Sequence, residues 1–212
     1  MYAKEQIVAV EVSPQQVKEL REATGAGFAD CRKALLENNG DFNLAADYLR
    51  KKGVATAAKK ADRVAKEGLV ELYRHHNGRL GVMVEVNCET DFVARNDQFK
   101  KFAKELSLHI ANMAPRYIRR EDVPADVVEH ERSILRAKTL EEGKKEAVVD
   151  KIVAGRMDKW YEEVVLLEQL WLHDDKLKVQ DVLTNLIAEI KENIVIRRFS
   201  RFALGEGIEA AE

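Results

Sequence analysis

The chain has 212 residues, 46% of them hydrophobic, enough for one medium domain or for a small domain beside a larger one. Its 35 basic and 37 acidic side chains leave a formal net charge of −2, which excludes a global drive toward nucleic acid or anionic membrane and makes any polyanion contact regional. The two cysteines, Cys31 and Cys88, form no CxxC pair, so neither a disulfide framework nor a zinc site of ordinary spacing is indicated, and a reducing, cytoplasmic setting is expected.

In chain order, residues 1–12 carry a single short apolar run, Ile7 to Val10, and read as an N-terminal tail. No stretch approaches the roughly 20 apolar residues of a membrane span, so a soluble protein without membrane contact is expected. Ser13-Pro14-Gln15-Gln16 then has the form of a helix start. The serine oxygen can accept from free backbone amides, proline is tolerated at the first position, and Gln16 completes a capping box. This helix carries Val17 and Leu20 and ends at Thr24-Gly25-Ala26-Gly27. A second helix carries Phe28, Cys31, Leu35 and Leu36 and is broken by Asn38-Asn39-Gly40. A third is capped by Asp41 or Asn43, aligns Phe42, Ala45, Tyr48 and Leu49, and is expected to stop at Gly53. Residues 13–54 therefore read as a three-helix domain. Its loop and helix order resembles a ubiquitin-associated domain, a small interaction module near the lower size limit for folding alone.

Residues 55–67 read as a basic helical linker, part of a run in which Arg50 to Lys66 holds seven Lys or Arg against the single acid Asp62. A charged connector is the plainer reading of such a run; a phosphate backbone or an acidic protein face is the functional alternative. No aromatics interleave it to stack on bases, so direct nucleic-acid binding is not expected.

Residues 68–212 read as one α+β domain, with an antiparallel sheet packed against helices. Leu69, Val70, Leu72 and Tyr73 lead to His76-Asn77-Gly78, a tight-hairpin signal, and Leu80, Val82, Val84 and Val86 alternate onto one buried face. Phe99, Phe102, Ala103, Leu106, Ile110 and Met113 form the covering helix, with Asp97 as its expected cap and Pro115 beyond its end. Helical patterning resumes past Pro124 with a break at Gly143. The apolar stretch Leu166 to Leu172 reads as core, and Val179, Val182, Leu183, Leu186, Ile187 and Ile190 read as another helix. A final extended segment from Ile194 to Leu204 carries Arg197, Arg198 and Arg201 as charges guarding a sheet edge.

Catalytic constellations are missing. There is no HExxH, GxSxG or GxxxxGK[ST], the adjacent His75 and His76 are expected to point apart, and each cysteine falls inside predicted structure without a local histidine. No catalytic residue, metal ligand or cofactor is therefore expected, and the chain does not read as an enzyme. What stands out is Thr90-Asp91-Phe92-Val93-Ala94-Arg95-Asn96, where an acid and a base flank a large ring just after a predicted strand. Asp91 as a helix cap and Phe92 as a core ring is the plain reading; a protruding recognition loop is the other.

The segment Asn87 to Asn96 resembles the signature of the elongation factor Ts family, nucleotide exchange factors for elongation factor Tu. The likeness extends over Arg21 to Gly27, Asp30 to Leu35, Gly155-Arg156, Trp160 to Gln169, Glu192 to Phe199 and Leu204 to Gly207, and the length matches the family's short form. Three departures are Phe28 where methionine is usual, Leu170-Trp171 where a proline and another aromatic are common, and Lys178 where a helix-capping threonine is common. The resemblance implies that Thr90, Asp91, Phe92 and Val93 press into the Tu GTPase domain beside its magnesium, with Arg95 and Asn96 supporting that loop and Gly25, Gly27 and Phe28 forming an N-terminal docking loop. It also implies Tu in its GDP-bound and nucleotide-free states as partner, and it allows a homodimer. An adaptor of ubiquitin-associated type or a ribosome- or RNA-binding protein without exchange activity is the alternative.

Overall fold

The computed structural model describes residues 12–207, so residues 1–11 of the expected tail lie outside it. The chain is α+β and divides into two compact units, one built from residues up to Ala65 together with Leu183–Ile194, the other from Lys66–Val182 and the segment beginning at Val195.

In the first unit, α1 (Pro14–Thr24), α2 (Phe28–Glu37) and α3 (Phe42–Ala58) close around Val17, Leu20, Cys31, Ala34, Leu35, Ala45 and Leu49. The start of α1 is the expected capping box, with the Ser13 hydroxyl and the Gln16 side chain exchanging bonds with each other's backbone. Gly25 closes the helix in the left-handed region at φ 68°. Asp41, of the two candidates, caps α3 by accepting from the Leu44 amide at 2.8 Å. Phe28, Leu36 and Phe42 stand exposed, so only part of each expected apolar stripe faces inward.

Gly53 does not stop α3, which continues to Ala58. It is buried in mid-helix, where a Cβ would meet the Thr184 methyl at 3.5 Å, an ordinary van der Waals contact, with Asn185 and Ala188 near by. Those residues belong to α8 (Val179–Ile190), whose Leu183–Ile190 part groups with the first unit. The basic stretch is helical only to Ala58 and then turns. At least three of its seven charges have partners within the unit. Lys52 pairs with Asp30 at 2.6 Å and Arg50 with Asp47 at 3.7 Å, while the ammonium of Lys60, buried, donates to the Lys191 carbonyl at 2.6 Å just past the end of α8, a favourable place for a cation. Asn193 fastens the same corner by donating to the carbonyls of Ala61 and Arg63.

The second unit is organised by the antiparallel sheet β1 (Glu67–Arg74), β2 (Leu80–Cys88) and β5 (Val195–Ala203), with β2 central. Val82, Val84 and Val86 point to the buried face as the alternation requires, and α5 (Asp97–Met113) covers them with Phe99, Phe102, Ala103, Leu106 and Ile110. Each such fully buried large apolar side chain contributes about 2 kcal/mol. Met113 stands exposed at the helix end rather than in the stripe. The cap of α5 is Asn96, not Asp97: its side-chain oxygen accepts from the Gln98 amide at 2.7 Å, and Asp97 becomes the first helical residue. In the hairpin, the Gly78 amide donates to the His75 carbonyl and Gly78 itself is left-handed, so Asn77-Gly78 closes a turn begun at His75. That turn brings the rings of His75 and His76 to 4.2 Å, where strict alternation had them diverging. A bulge opposite Glu85 and Val86 sets Arg197 and Arg198 on the same side, and both grip Glu85, at 3.0 and 2.7 Å. Arg198, foremost, holds the Glu85 carboxyl below the usual carboxylate range.

Beyond α5, α6 (Ala125–Glu141) and α7 (Glu146–Val164) pack as a helical hairpin closed by Arg136 to Asp150 and Glu146, and by Arg156 to Glu142. The apolar stretch past α7 is core only in alternation. Leu166 and Trp171 are buried, whereas Leu170 and Leu172 are exposed, because β3 (Leu170–Trp171) pairs with β4 (Asp174–Lys178) as a small hairpin that sequence patterning had not marked. At Lys178 no side-chain cap is needed: its amide donates to Asp181 at 3.0 Å, the return half of a capping box.

A buried polar chain ties this region together. The Leu172 amide faces His109 Nδ1 at 3.3 Å, which makes Nδ1 the acceptor and leaves Nε2–H to donate to Gln169 Oε1 at 3.0 Å. Gln169 in turn donates to the carbonyls of Met113 and Glu163. Trp171 stacks on the His109 ring with centroids 5.2 Å apart.

Two expectations follow. Gly68 sits at φ 139°, where an added Cβ would fall 2.1 Å from the Val86 carbonyl oxygen, so Gly68→Ala should cost about 3 kcal/mol in urea unfolding followed by tryptophan fluorescence; an unchanged midpoint would contradict this. Burial pushes the His109 pKa down from 6.5, with His173 adding to it against the bond from Gln169. A depressed histidine contributes stability fully above its unfolded pKa, and loses it as pH falls. Stability should therefore decline below about pH 6.5 with a limiting slope of about 1.4 kcal/mol per pH unit from this group, a slope missing from His109→Gln.

Candidate functional site

The central strand decides where the candidate loop emerges. Inward alternation carries β2 through Val86 to Cys88, which is fully buried, and the chain leaves the sheet immediately afterwards. Thr90, extended at φ −127°, then caps a single helical turn, α4 (Asp91–Ala94), by accepting from the Val93 amide at 3.4 Å. The turn closes through Ala94 N–H to the Thr90 carbonyl and Arg95 N–H to the Asp91 carbonyl, both at 3.2 Å. Asn96 ends it with an amide bond to the Val93 carbonyl at 2.9 Å and starts α5 with its side chain.

This geometry sends Phe92 outward: 79% of the residue is exposed, against 0% for Phe99 seven positions on. The plain reading of Phe92 as a core ring is thereby excluded. Asp91 is not the cap either, since Thr90 fills that place; Asp91 opens the helical turn and pairs with Arg95 at 2.8 Å across one turn. Such an exposed pair contributes well under about 1 kcal/mol. Its effect is to hold acid and base side by side at the foot of the ring. Asp91 and Val93 are half-buried, and Thr90, Phe92, Arg95 and Asn96 form the exposed part of the loop. The ring is thus presented to solvent on a turn closed by the amides of Val93, Ala94, Arg95 and Asn96.

The second predicted loop lies in the first unit. Gly25 supplies the left-handed backbone, Gly27 caps α2, and Phe28 opens that helix half exposed, at 50%. The two loops share an exposed aromatic in the first turn of a helix, at the first helical position for Phe28 and the second for Phe92. Each is described within its own unit.

Sequence reasoning missed the roles of Thr90 and Asn96 as caps. Thr90 lacks the Glu or Gln partner that would have completed a recognisable box, and Asn96 stands beside an equally plausible Asp97. Among the described residues no group of three or more His, Cys, Asp or Glu is placed to hold a metal ion, and no helix is long and apolar enough to cross a membrane. A shallow hollow of about 550 Å³ lies between β1 and α5, lined by Leu69, Val70, Glu71, Asp97, Lys100, Lys101 and Lys104, and its mixed charges single out no ligand.

Residues 45–206 match the model of the family described as Elongation factor TS. The chain is 60% identical to Elongation factor Ts of Thermoanaerobacter sp. (strain X514) over 94% of this chain and 98% of the relative. It is 58% identical to Elongation factor Ts of Caldanaerobacter subterraneus subsp. tengcongensis over 93% of this chain and 99% of the relative, and 55% identical to that of Geobacter metallireducens over 96% and 94%. With a family match across three quarters of its length and relatives of this identity aligned almost end to end, the chain belongs to the elongation factor Ts family.

Proposed function

We propose that this chain is a guanine nucleotide exchange factor for elongation factor Tu, acting in translation elongation on the GDP-bound and nucleotide-free states of its partner. The observation that carries the reading is the outward Phe92 on a prefolded turn, with Asp91 and Arg95 at its foot. A GTPase holds GDP through backbone amides around the phosphates and through a magnesium ion, so displacing either weakens the nucleotide without any bond being made or broken. In this reading Phe92 is the wedge that enters beside the magnesium site, Asp91 supplies a hydrogen-bonding charge next to it, Thr90 and Val93 shape the turn, and Arg95 and Asn96 hold it in place. Gly25, Gly27 and Phe28 form a second contact. Linkage makes the effect reciprocal: whatever factor by which the chain weakens GDP, GDP weakens the chain, so incoming nucleotide releases it.

The alternative of a ribosome- or RNA-binding protein draws less from the basic run than its composition suggests, because Lys52 and Lys60 are engaged internally. An adaptor resting on the helical domain alone leaves Phe92 unexplained. The discriminating measurement is release of fluorescent GDP from purified Tu, which the chain should accelerate. Phe92→Ala should slow that release at least about tenfold, a loss of about 1.4 kcal/mol, while leaving the melting temperature within error because the ring buries almost nothing. An unchanged release rate would remove Phe92 from the mechanism.

A second copy of the chain is the proposed occupant of the outer sheet face. There Val70 and Leu72 of β1, Met83 of β2 and Phe202 of β5 lie exposed in register, Leu72 opposite Met83, beside the Glu85, Arg197 and Arg198 cluster. An apolar patch bordered by both charge signs is self-complementary about a twofold axis. Sedimentation should give a dimer that Leu72→Glu with Phe202→Glu converts to monomer; a monomeric wild type would refute this.

A further inference from the structure

Each of the chain's cysteines is buried, unpaired by any disulfide, and aimed at a carbonyl two residues before an exposed aromatic. Cys88 Sγ–H donates to the Thr90 carbonyl at 3.1 Å, and Phe92 follows two positions later. Cys31 Sγ–H donates to the Ala26 carbonyl at 3.4 Å, and Phe28 follows two positions later. The approaches differ, since Cys88 reaches forward from the end of a strand and Cys31 reaches back from the first turns of a helix. The outcome is the same, and a buried cysteine that serves only as a small apolar filler has no reason to repeat it.

We infer that Cys31 and Cys88 are positioning residues whose thiols set the direction of Phe28 and Phe92. A peptide group is planar, so fixing the Thr90 carbonyl fixes the plane through the Asp91 nitrogen, and a single φ,ψ pair separates that plane from the next, which carries the Phe92 amide. The Thr90 oxygen also accepts from the Ala94 amide, so one atom with two acceptor sites binds both the core thiol and the closing bond of α4. At the other loop the Cys31 amide bonds the Gly27 carbonyl at 2.9 Å while its thiol takes Ala26, so two consecutive carbonyls before Phe28 are held by one residue. Thr24 Oγ1 donates to the Leu20 carbonyl at 2.6 Å and accepts from the Ala26 amide at 3.4 Å, and its 3.9 Å contact with Cys31 Sγ is longer than the 3.4 Å from that sulfur to the Ala26 carbonyl. Burial raises the Cys31 pKa, which keeps the group a protonated donor at neutral pH.

The inference rests on the exchange reading and deepens it: the thiol under Phe92 governs how fast GDP leaves, and the thiol under Phe28 governs how tightly the chain docks. Serine and alanine nearly match in volume and differ by the donor, so they separate hydrogen bonding from packing. In GDP release from Tu at varied concentrations of the chain, Cys88→Ala should lower the maximal rate about threefold with the half-saturating concentration unchanged, and Cys31→Ala should raise the half-saturating concentration about threefold with the maximal rate unchanged, the low end expected for one weak hydrogen bond. Cys88→Ser and Cys31→Ser should restore each. Serine variants as impaired as alanine, or alanine variants equal to wild type, would overturn the proposal. Should wild type fail to accelerate release, the exchange reading falls, and the latches are judged by the infrared S–H stretch of the intact chain. Bands shifted below the free-thiol position support them; a free-thiol position refutes them.

Discussion

The packing of β2 against α5 is the constraint from which the candidate site derives. With Val82, Val84 and Val86 committed to the buried face and Phe99, Phe102, Leu106 and Ile110 seated over them, the strand has no freedom of register. A slip of one residue would turn Met83 and Glu85 into the core and send the valines to water. The same commitment buries Cys88 and ejects the chain at Thr90, so the direction of the exposed turn is inherited from a row of valines rather than chosen by the loop itself. Asn96, which ends the turn and caps α5, joins the two ends of that inheritance.

Much of this was legible in the sequence because the signals were redundant. The β2 valines announce their face by strict alternation, the Ser13 box announces α1, and the stripe from Phe99 announces α5. Reading failed where one residue type serves two ends. Gly53 has the composition of a stop, yet it lies buried inside α3 at a helix-helix contact, with no left-handed backbone to end the helix. Asp97 and Asn96 are both good caps, and only the path of the preceding turn decides between them. Leu170 and Leu172 read as core by hydropathy alone, whereas a two-residue strand buries just the Trp171 between them. The site was half legible. Charges around a ring suggested a probe, but whether Phe92 faced in or out depended on Thr90 capping a turn of only four residues, below the length at which periodicity says anything.

The exposed turn combines two properties that usually oppose one another. A large ring held in water is costly to leave uncovered, and a four-residue helical turn has little stability of its own. Here the amides of Val93, Ala94, Arg95 and Asn96 are spent within the turn, and its base adjoins buried Cys88, so the backbone that carries the ring is folded in advance. In the proposed exchange reading, preorganisation of this sort lowers the ordering cost of association and leaves more of the contact energy for distorting the partner.

The first unit is discontinuous along the chain: its three helices come early, but the segment that packs over Gly53 and receives the Lys60 ammonium comes from Leu183–Ile194. On a ribosome making protein from the amino terminus, α1 to α3 emerge long before that segment exists. The small helical bundle must wait, its Gly53 face uncovered, while some 120 further residues are threaded out. The core around Val17 and Leu35 needs none of those later residues, but its cover at Gly53 is among the last parts to be made, and a product cut short before Leu183 would leave that face bare.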